Sequence, residues 1–406
     1  MRKPVLGVLV FAGACLGLAA QGREYEPTCR MCPGTVIAKS EIDAYLKRAV
    51  ANHITDQQVR AVDVGKSHIG IGAVYRPKQA TAEAVAEHDL VSEVYHIIQG
   101  RATLTLGPDL VGKERRPASQ KTVRVQNGPG NGAKEIRNGV SYDLAPGDVV
   151  IIPAGTGHQF RKIDEDISYL MVRFDPEKIV PVKSEAESKA DLLGTGIETP
   201  EEARAAGLKN AHLEKEYAPN CQMCPGYYVP RSEIDAYTKR AIANQLTDQQ
   251  IRAVNIGKMN VGIGVVYRGR LANPEASVAE HDLVSEIYHV IDGSATLNLG
   301  PDLVGKVRRP ETLTTVRLLN GPGNGATAIR NGTSYQIKAG DVVTIPAGTG
   351  HQFTRIDDHI TYLMVRVDPD KVLPLKSEAD SKADLATDGR ATAGGGAGAV
   401  NGVPQR

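Results

Sequence analysis

Tryptophan is absent from the 406 residues, and with 14 Tyr and 4 Phe the aromatic share is only 4%. Cores must therefore be assembled chiefly from Val, Ile, Leu and Ala. An excess of charge is missing too, since 48 Lys and Arg stand against 47 Asp and Glu. That balance removes the electrostatic case for nucleic acid or an anionic membrane as a general partner. Small-molecule chemistry or protein contacts remain. Beyond the first twenty residues no run is long and apolar enough to span a bilayer, which takes about 20 such residues.

The early apolar run has a different signature. Arg2 and Lys3 precede an apolar stretch over residues 5–20, which closes on the small residues Ala19 and Ala20. A basic start, a short apolar centre and a small-residue end predict a secretory signal peptide over 1–22 and a periplasmic or secreted mature protein.

A search for internal repeats then divides the remainder. Residues 24–192 match residues 216–385 at an offset of 192, which becomes 193 after one residue is gained near Leu271. The blocks SEIDAY, TDQQ, HDLVSE, NGPGNGA, RNG and SKADL recur in order. This is a tandem duplication with two domain-sized units, 23–192 and 216–385. A linker with one short helix is expected over 193–215, and the Gly-rich end, 386–406, lacks periodicity and reads as disordered.

Within each unit a helical part (40–60 and 232–252) precedes a β part (61–180 and 253–373). Ser40 with Asp43 resembles a capping box, and Ile42, Leu46, Ala49 and Val50 recur at helical spacing. Thr55 with Gln58 suggests a second short helix. From Val62 onward, short Val-, Ile- and Tyr-rich runs alternate with Gly, Pro and Asn turns, which argues for a β-sandwich or barrel.

Two patterns carry the chemistry. The first, H-x4-E-x6-G, is His88, Glu93 and Gly100, and again His281, Glu286 and Gly293. The second, G-x5-P-x-G-x2-H, is Gly147, Pro153, Gly155 and His158, and again Gly340, Pro346, Gly348 and His351. Strand alternation puts Glu93 and Tyr95 on one face and His96 on the other. The design sets a late histidine opposite an early His and Glu pair. Six of the ten histidines pair between units in this way, as His88 with His281, His96 with His289 and His158 with His351. The others do not: His53 faces Gln245, His68 faces Asn260, and His359 faces Asp166, while His212 is in the linker. The alternative is a decayed barrel that binds nothing.

The segments HDLVSEVYHIIQG with GDVVIIPAGTGH, and HDLVSEIYHVIDG with GDVVTIPAGTGH, resemble the two motifs of the cupin superfamily, and the doubled chain resembles a bicupin. The resemblance implies a mainly β fold of two tandem double-stranded β-helix (jelly-roll) barrels, each preceded by a short helical segment, with metal inside. It covers about 110 residues of each unit. Cupins usually carry H-x-H in the first motif, and here the first histidine is replaced by Ala86 and Ala279. The Asn often found four residues after the late histidine is Lys162 and Arg355. Each unit thus offers two histidines and one glutamate: His88, Glu93 and His158, then His281, Glu286 and His351. This triad is the ligand set of non-haem Fe(II) oxygenases, with open positions for O2 and a chelating substrate, and it can also hold zinc with a reactive water. A divalent transition metal is expected, Fe or Mn first, with Zn or Cu as alternatives. Tyr95 and Tyr288 are the candidate catalytic side chains, as donors beside the metal, or else barrel filling. His96 and His289 face outward to an interface, and His68 is a candidate fourth ligand in the first unit only.

Cys29 with Cys32, and Cys221 with Cys224, form C-x-x-C segments that can be disulfides, a second metal site helped by Met31 and Met223, or a redox centre. The NGPGNGA loops at Asn127 and Asn320 lack a following Gly-Lys-Ser/Thr and are expected as mobile loops rather than phosphate cradles. The pairs Arg115 and Arg116, and Arg308 and Arg309, are either anion contacts or solvated charge. The leading expectation is an exported oxidoreductase of dioxygenase type acting on a small oxygen-bearing molecule, as a monomer or homo-oligomer. An isomerase, a hydrolase and a non-catalytic binding protein are the alternatives.

Overall fold

The computed structural model describes residues 23–394. The predicted signal peptide and the last twelve residues of the tail lie outside that range. Among the described residues no helix is long and apolar enough to cross a membrane.

Each unit is an antiparallel β-barrel with helices on one side. In the first unit Ser92–Gly107 pairs with Val140–Leu144, Val149–Ile152 and Gly157–Asp175; the last of these also pairs with His68–Arg76 and Val85–His88. The second unit repeats this arrangement with Ser285–Gly300 at its centre. Two faces of one strand explain the texture of the sequence. In His68–Arg76, Ile69, Ile71 and Ala73 point into a core shared by the two units, while Gly70 and Gly72 occupy the opposite face. A Cβ on Gly72 would lie 2.6 Å from Arg173 Nη1, and one on Gly70 would lie 2.4 Å from Gln58 Nε2. The glycines therefore leave room for buried polar side chains beneath the strand.

The two units exchange their first strands. Thr35–Ile37 pairs with Val342–Ile345 of the second barrel, and Tyr227–Val229 pairs with Val149–Ile152 of the first. Ile37 and Val229 enter the shared core beside Val149, Ile287 and Val342. The N-terminal arm of each unit is thus a structural part of the other unit's barrel.

Helix α1 (Lys39–Asn52) and helix α4 (Arg231–Asn244) follow these strands. The expected Ser40 cap is not used, because α1 starts two residues earlier, with Ala38 at the N-cap, and Ser40 sits inside its first turn. The other unit supplies the cap instead. Lys39 N–H donates to Asp341 Oδ1 at 2.7 Å, and Arg231 N–H donates to Asp148 Oδ1 at 2.8 Å. Ile42, Tyr45 and Ala49 form the buried stripe of α1, which ends at His53 in the left-handed conformation. The second helix expected at Thr55 is a strand, Asp56–Asp63, completed by pairing with His68–Arg76. Here a tertiary partner overrides a local signal.

Helix α2 (Glu185–Leu192) and helix α5 (Glu378–Leu385) close the units, each with a capping box, Ser184 with Glu187 and Ser377 with Asp380. The linker holds α3 (Pro200–Lys209) and a short 3-10 turn, Ala211–Glu214. The expected disorder of the tail does not extend to residues 386–394. Gly394 N–H donates to Asp248 O at 2.7 Å, and Ala393 packs on Ala241 and Leu246.

Candidate metal centre

The strand register assembles the triads. Val85–His88 places His88 at the end of a short strand, the three residues Asp89, Leu90 and Val91 bend the chain, and Glu93 is the second residue of the long strand Ser92–Gly107. His158 begins the strand Gly157–Asp175, directly opposite Ala86, and His351 lies opposite Ala279 in the same way. Residues directly opposite on antiparallel strands share a face, so the missing cupin histidine would have stood beside His158. Its absence leaves open space. Ala86 lines a cavity of about 890 Å³ with the first triad, and Ala279 lines one of about 440 Å³ with the second.

In each unit one ligand atom from each triad residue lies within 4.8 Å of the others, and all six residues are buried. His88 Nε2 is 3.4 Å from Glu93 Oε1, and His158 Nε2 is 3.9 Å from Glu93 Oε2; the second unit gives 3.4 and 3.8 Å. The buried Glu93 Oε1, Glu286 Oε1 and His281 Nε2 have no hydrogen-bond partner. Arg173 offsets part of the Glu93 charge without a hydrogen bond to Oε1, so that oxygen is left as a ligand atom, and a two-histidine, one-carboxylate set suits a transition metal.

Electrostatics favour the ligating forms. Burial alone would raise Glu93, but the imidazoles of His88 and His158 and the guanidinium of Arg173 outweigh it and hold the carboxyl well below its usual range. Burial pushes His158 down to about 3 and His351 down to about 4, so both are neutral imidazoles at ordinary pH. Burial and the adjacent Glu93 charge raise the Tyr95 hydroxyl, which keeps its proton. It donates to Glu93 Oε2 at 2.8 Å, as Tyr288 does to Glu286 Oε2 at 2.7 Å. Both rings stack on a second tyrosine, Tyr169 or Tyr362.

Several expectations are corrected by the geometry. His68 is no ligand, because its Nδ1 is bound to Val180 O at 2.8 Å, outside the cavity. Arg115 and Arg308 are not solvated: they pair with the buried Asp89 and Asp282. Arg116 and Arg309 reach the site, where Nη2 lies 2.7 Å from His88 Nδ1 and 2.6 Å from His281 Nδ1. A guanidinium can only donate, so each Nδ1 faces the arginine, and Nε2 is the nitrogen turned toward the glutamate of the triad. The NGPGNGA segments are not mobile loops. Asn127 is buried and accepts from Arg173 Nε at 2.9 Å, and Gly130–Ala133 is a strand beside Val85–His88.

The triads, Tyr95 and Tyr288 come together, and His96 and His289 stay apart from them. These two meet between the units with Nδ1 to Nδ1 at 2.6 Å. All four cysteines outside residues 1–22 are disulfide-bonded, Cys29 to Cys32 and Cys221 to Cys224, so the second metal site is not formed. Sequence reasoning missed Arg173 and Arg366. Arg173 Nε is 3.7 Å from Glu93 Oε1, and the guanidinium is pinned by Asp56, Gln58 and Asn127. The repeated TDQQ block and the doubled Gly of each His68–Arg76-type strand were the available signal.

Both cupin motifs thus converge inside their own barrel, twice in one chain. The chain folds as two tandem, mainly β barrels, each carrying one buried triad. A family model described as AraC-like ligand binding domain matches residues 323–390. Solved structures similar to this chain include the salicylate 1,2-dioxygenase from Pseudaminobacter salicylatoxidans, at 13% identity over 88% of each chain with a TM-score of 0.46. A deletion mutant of Bacillus subtilis oxalate decarboxylase is similar at 14% identity over 78% of this chain and 77% of that one, with a TM-score of 0.34. No curated protein matches the sequence.

Proposed function

We propose that this chain is a bicupin and a metal-dependent oxidoreductase of dioxygenase type, acting on a small, anionic, oxygen-bearing organic molecule. The observation that carries this reading is the duplicated, buried His-Glu-His triad with one carboxylate oxygen unpartnered and an empty place where a further histidine would stand. His88, Glu93 and His158 would hold one ion, and His281, Glu286 and His351 the other. Iron or manganese in such a site supplies a Lewis acid and redox centre with open positions for O2 and a chelating substrate.

The chain's own residues supply the rest. Tyr95 and Tyr288 fix the Oε2 side of the glutamate, and each retains a proton within the cavity. Arg116 and Arg309 have no carboxylate partner among the described residues, only a backbone carbonyl and a histidine nitrogen. Carboxylates lie near each guanidinium but none is paired with it directly, which leaves its donors for a substrate carboxylate or phenolate. Val150, Phe160 and Met171 belong to the apolar cluster behind the site and keep that wall dry. We also read the protein as exported: Arg2, Lys3 and the apolar run suggest it, and two disulfides suit an oxidising compartment.

Oxygen uptake over a panel of phenolic and keto-acid substrates tests the reaction type. Uptake that follows substrate consumption, and that drops at least tenfold in Arg116→Gln/Arg309→Gln, is expected. Turnover without oxygen uptake would replace the reading with an isomerase or hydrolase, and tight binding without turnover would replace it with a binding protein.

A further inference from the structure

The two C-x-x-C segments have no part in the chemistry just described, yet neither packs on the metal site of its own unit. Each lies on the other unit's histidine-bearing segments. In the second unit Thr28 N–H donates to Asp282 O at 2.7 Å, immediately after His281. Thr349 Oγ1 donates to Cys32 O at 2.7 Å, two residues before His351. Gly348, at φ +86°, lies so close beneath the arm that a Cβ would stand 2.5 Å from Cys29 O. The first unit repeats every contact. Asn220 N–H donates to Asp89 O at 2.8 Å, Thr156 Oγ1 donates to Cys224 O at 2.8 Å, and a Cβ on Gly155 would stand 2.6 Å from Cys221 O.

The arm therefore touches both ends of a triad at once. It also closes a circuit, because Gly348 N–H donates to His281 O and Gly155 N–H donates to His88 O, both at 2.7 Å. The carbonyls against the loop belong to the two cysteines themselves: the second of each pair accepts a hydrogen bond from it, and the first packs against its glycine. Their separation is set by the disulfide across a turn in which Met31 and Met223 hold left-handed φ values of 54° and 55°. That conformation is uncommon for a non-glycine residue, and the disulfide spans it.

We propose that each disulfide arm is the positioning element for the metal triad of the opposite unit, and that each is a dithiol-exchange site whose reduction loosens that triad. A dithiol reductant would break the S–S bond and deliver two electrons and two protons to make two thiols, and would itself leave as a disulfide. Access suits this: Cys29 and Cys221 are buried, but Cys32 and Cys224 are half-buried beside Met31 and Met223, which are 67% and 70% exposed. The proposal rests on the metal reading above.

The test uses the full chain and Co(II), whose absorption reports ligand geometry. A His158→Ala background leaves the second site alone to bind, and a His351→Ala background leaves the first. Adding Cys29→Ser/Cys32→Ser is expected to weaken Co(II) at the second site at least tenfold and shift its absorption bands, while the first site is unchanged. Cys221→Ser/Cys224→Ser should do the reverse. Dithiothreitol should weaken both sites of the unmodified chain, and reoxidation should restore them. Equal weakening of both sites by either pair, or no weakening by either, overturns the arm's role and leaves the metal reading standing. No Co(II) bound to the unmodified chain overturns the metal reading and this proposal with it.

Discussion

The hydroxyl of Tyr95 is the smallest group on which the account makes a definite statement. Its bond to Glu93 Oε2 leaves Oε1 as the free ligand atom, and the ring is held by Tyr169 with centroids 4.5 Å apart. Tyr95→Phe keeps that stack and removes one hydrogen bond to a charged group, worth about 1.5–3 kcal/mol. The expected result is a loss of metal affinity of about tenfold or more at the first site, measured by competition with a chromophoric chelator, together with a melting temperature lowered by about 2–4 °C per kcal/mol lost. At this scale the triads were legible in the sequence, because motif spacing and strand alternation bring His88, Glu93 and His158 into one space. Arg173 was not legible. Its approach to Glu93 depends on two glycines about a hundred residues earlier in the chain, and on three partners from two other elements.

Among elements, the exchanged arms carry the most consequence. Repeats and turn signals gave two β units with helices ahead of them, but a strand of three residues such as Thr35–Ile37 has no periodicity to read, and its partner lies some three hundred residues away. The helix caps were misjudged for the same reason. Ser40 satisfies the local pattern, yet the orphan N–H at the start of α1 is met by Asp341 of the other unit. Asp341→Ala and Asp148→Ala should therefore each cost about 0.5–2 kcal/mol, as loss of an N-cap does. Chemical denaturation checks this, with Ser40→Ala and Ser232→Ala as controls expected to change little. The strand at Asp56–Asp63 makes the same point in reverse, since pairing with His68–Arg76 decides a segment whose first residues look helical.

The whole molecule is best described as two barrels joined through one core, with His96 and His289 at its polar centre. Burial, with the partner histidine and Arg231 adding to it, holds His96 well below its ordinary value, and burial pushes His289 down to about 4. Well above pH 6.5 both histidines are neutral whether the chain is folded or not, and they impose no cost. As pH falls from 6.5 toward 4 the unfolded chain takes up protons that the folded one refuses, so stability is lost, by up to about 1.4 kcal/mol per pH unit for each histidine. His289→Gln should flatten the fall in melting temperature between pH 7 and pH 5; an unchanged slope would remove the pair from the account. The central claim, however, concerns metal. Elemental analysis of the purified chain, refolded with one transition metal in excess and then dialysed, tests it most directly. About two ions per chain are expected, about one in either His158→Ala or His351→Ala, and close to none in the double variant. Metal content unchanged in that double variant would contradict it.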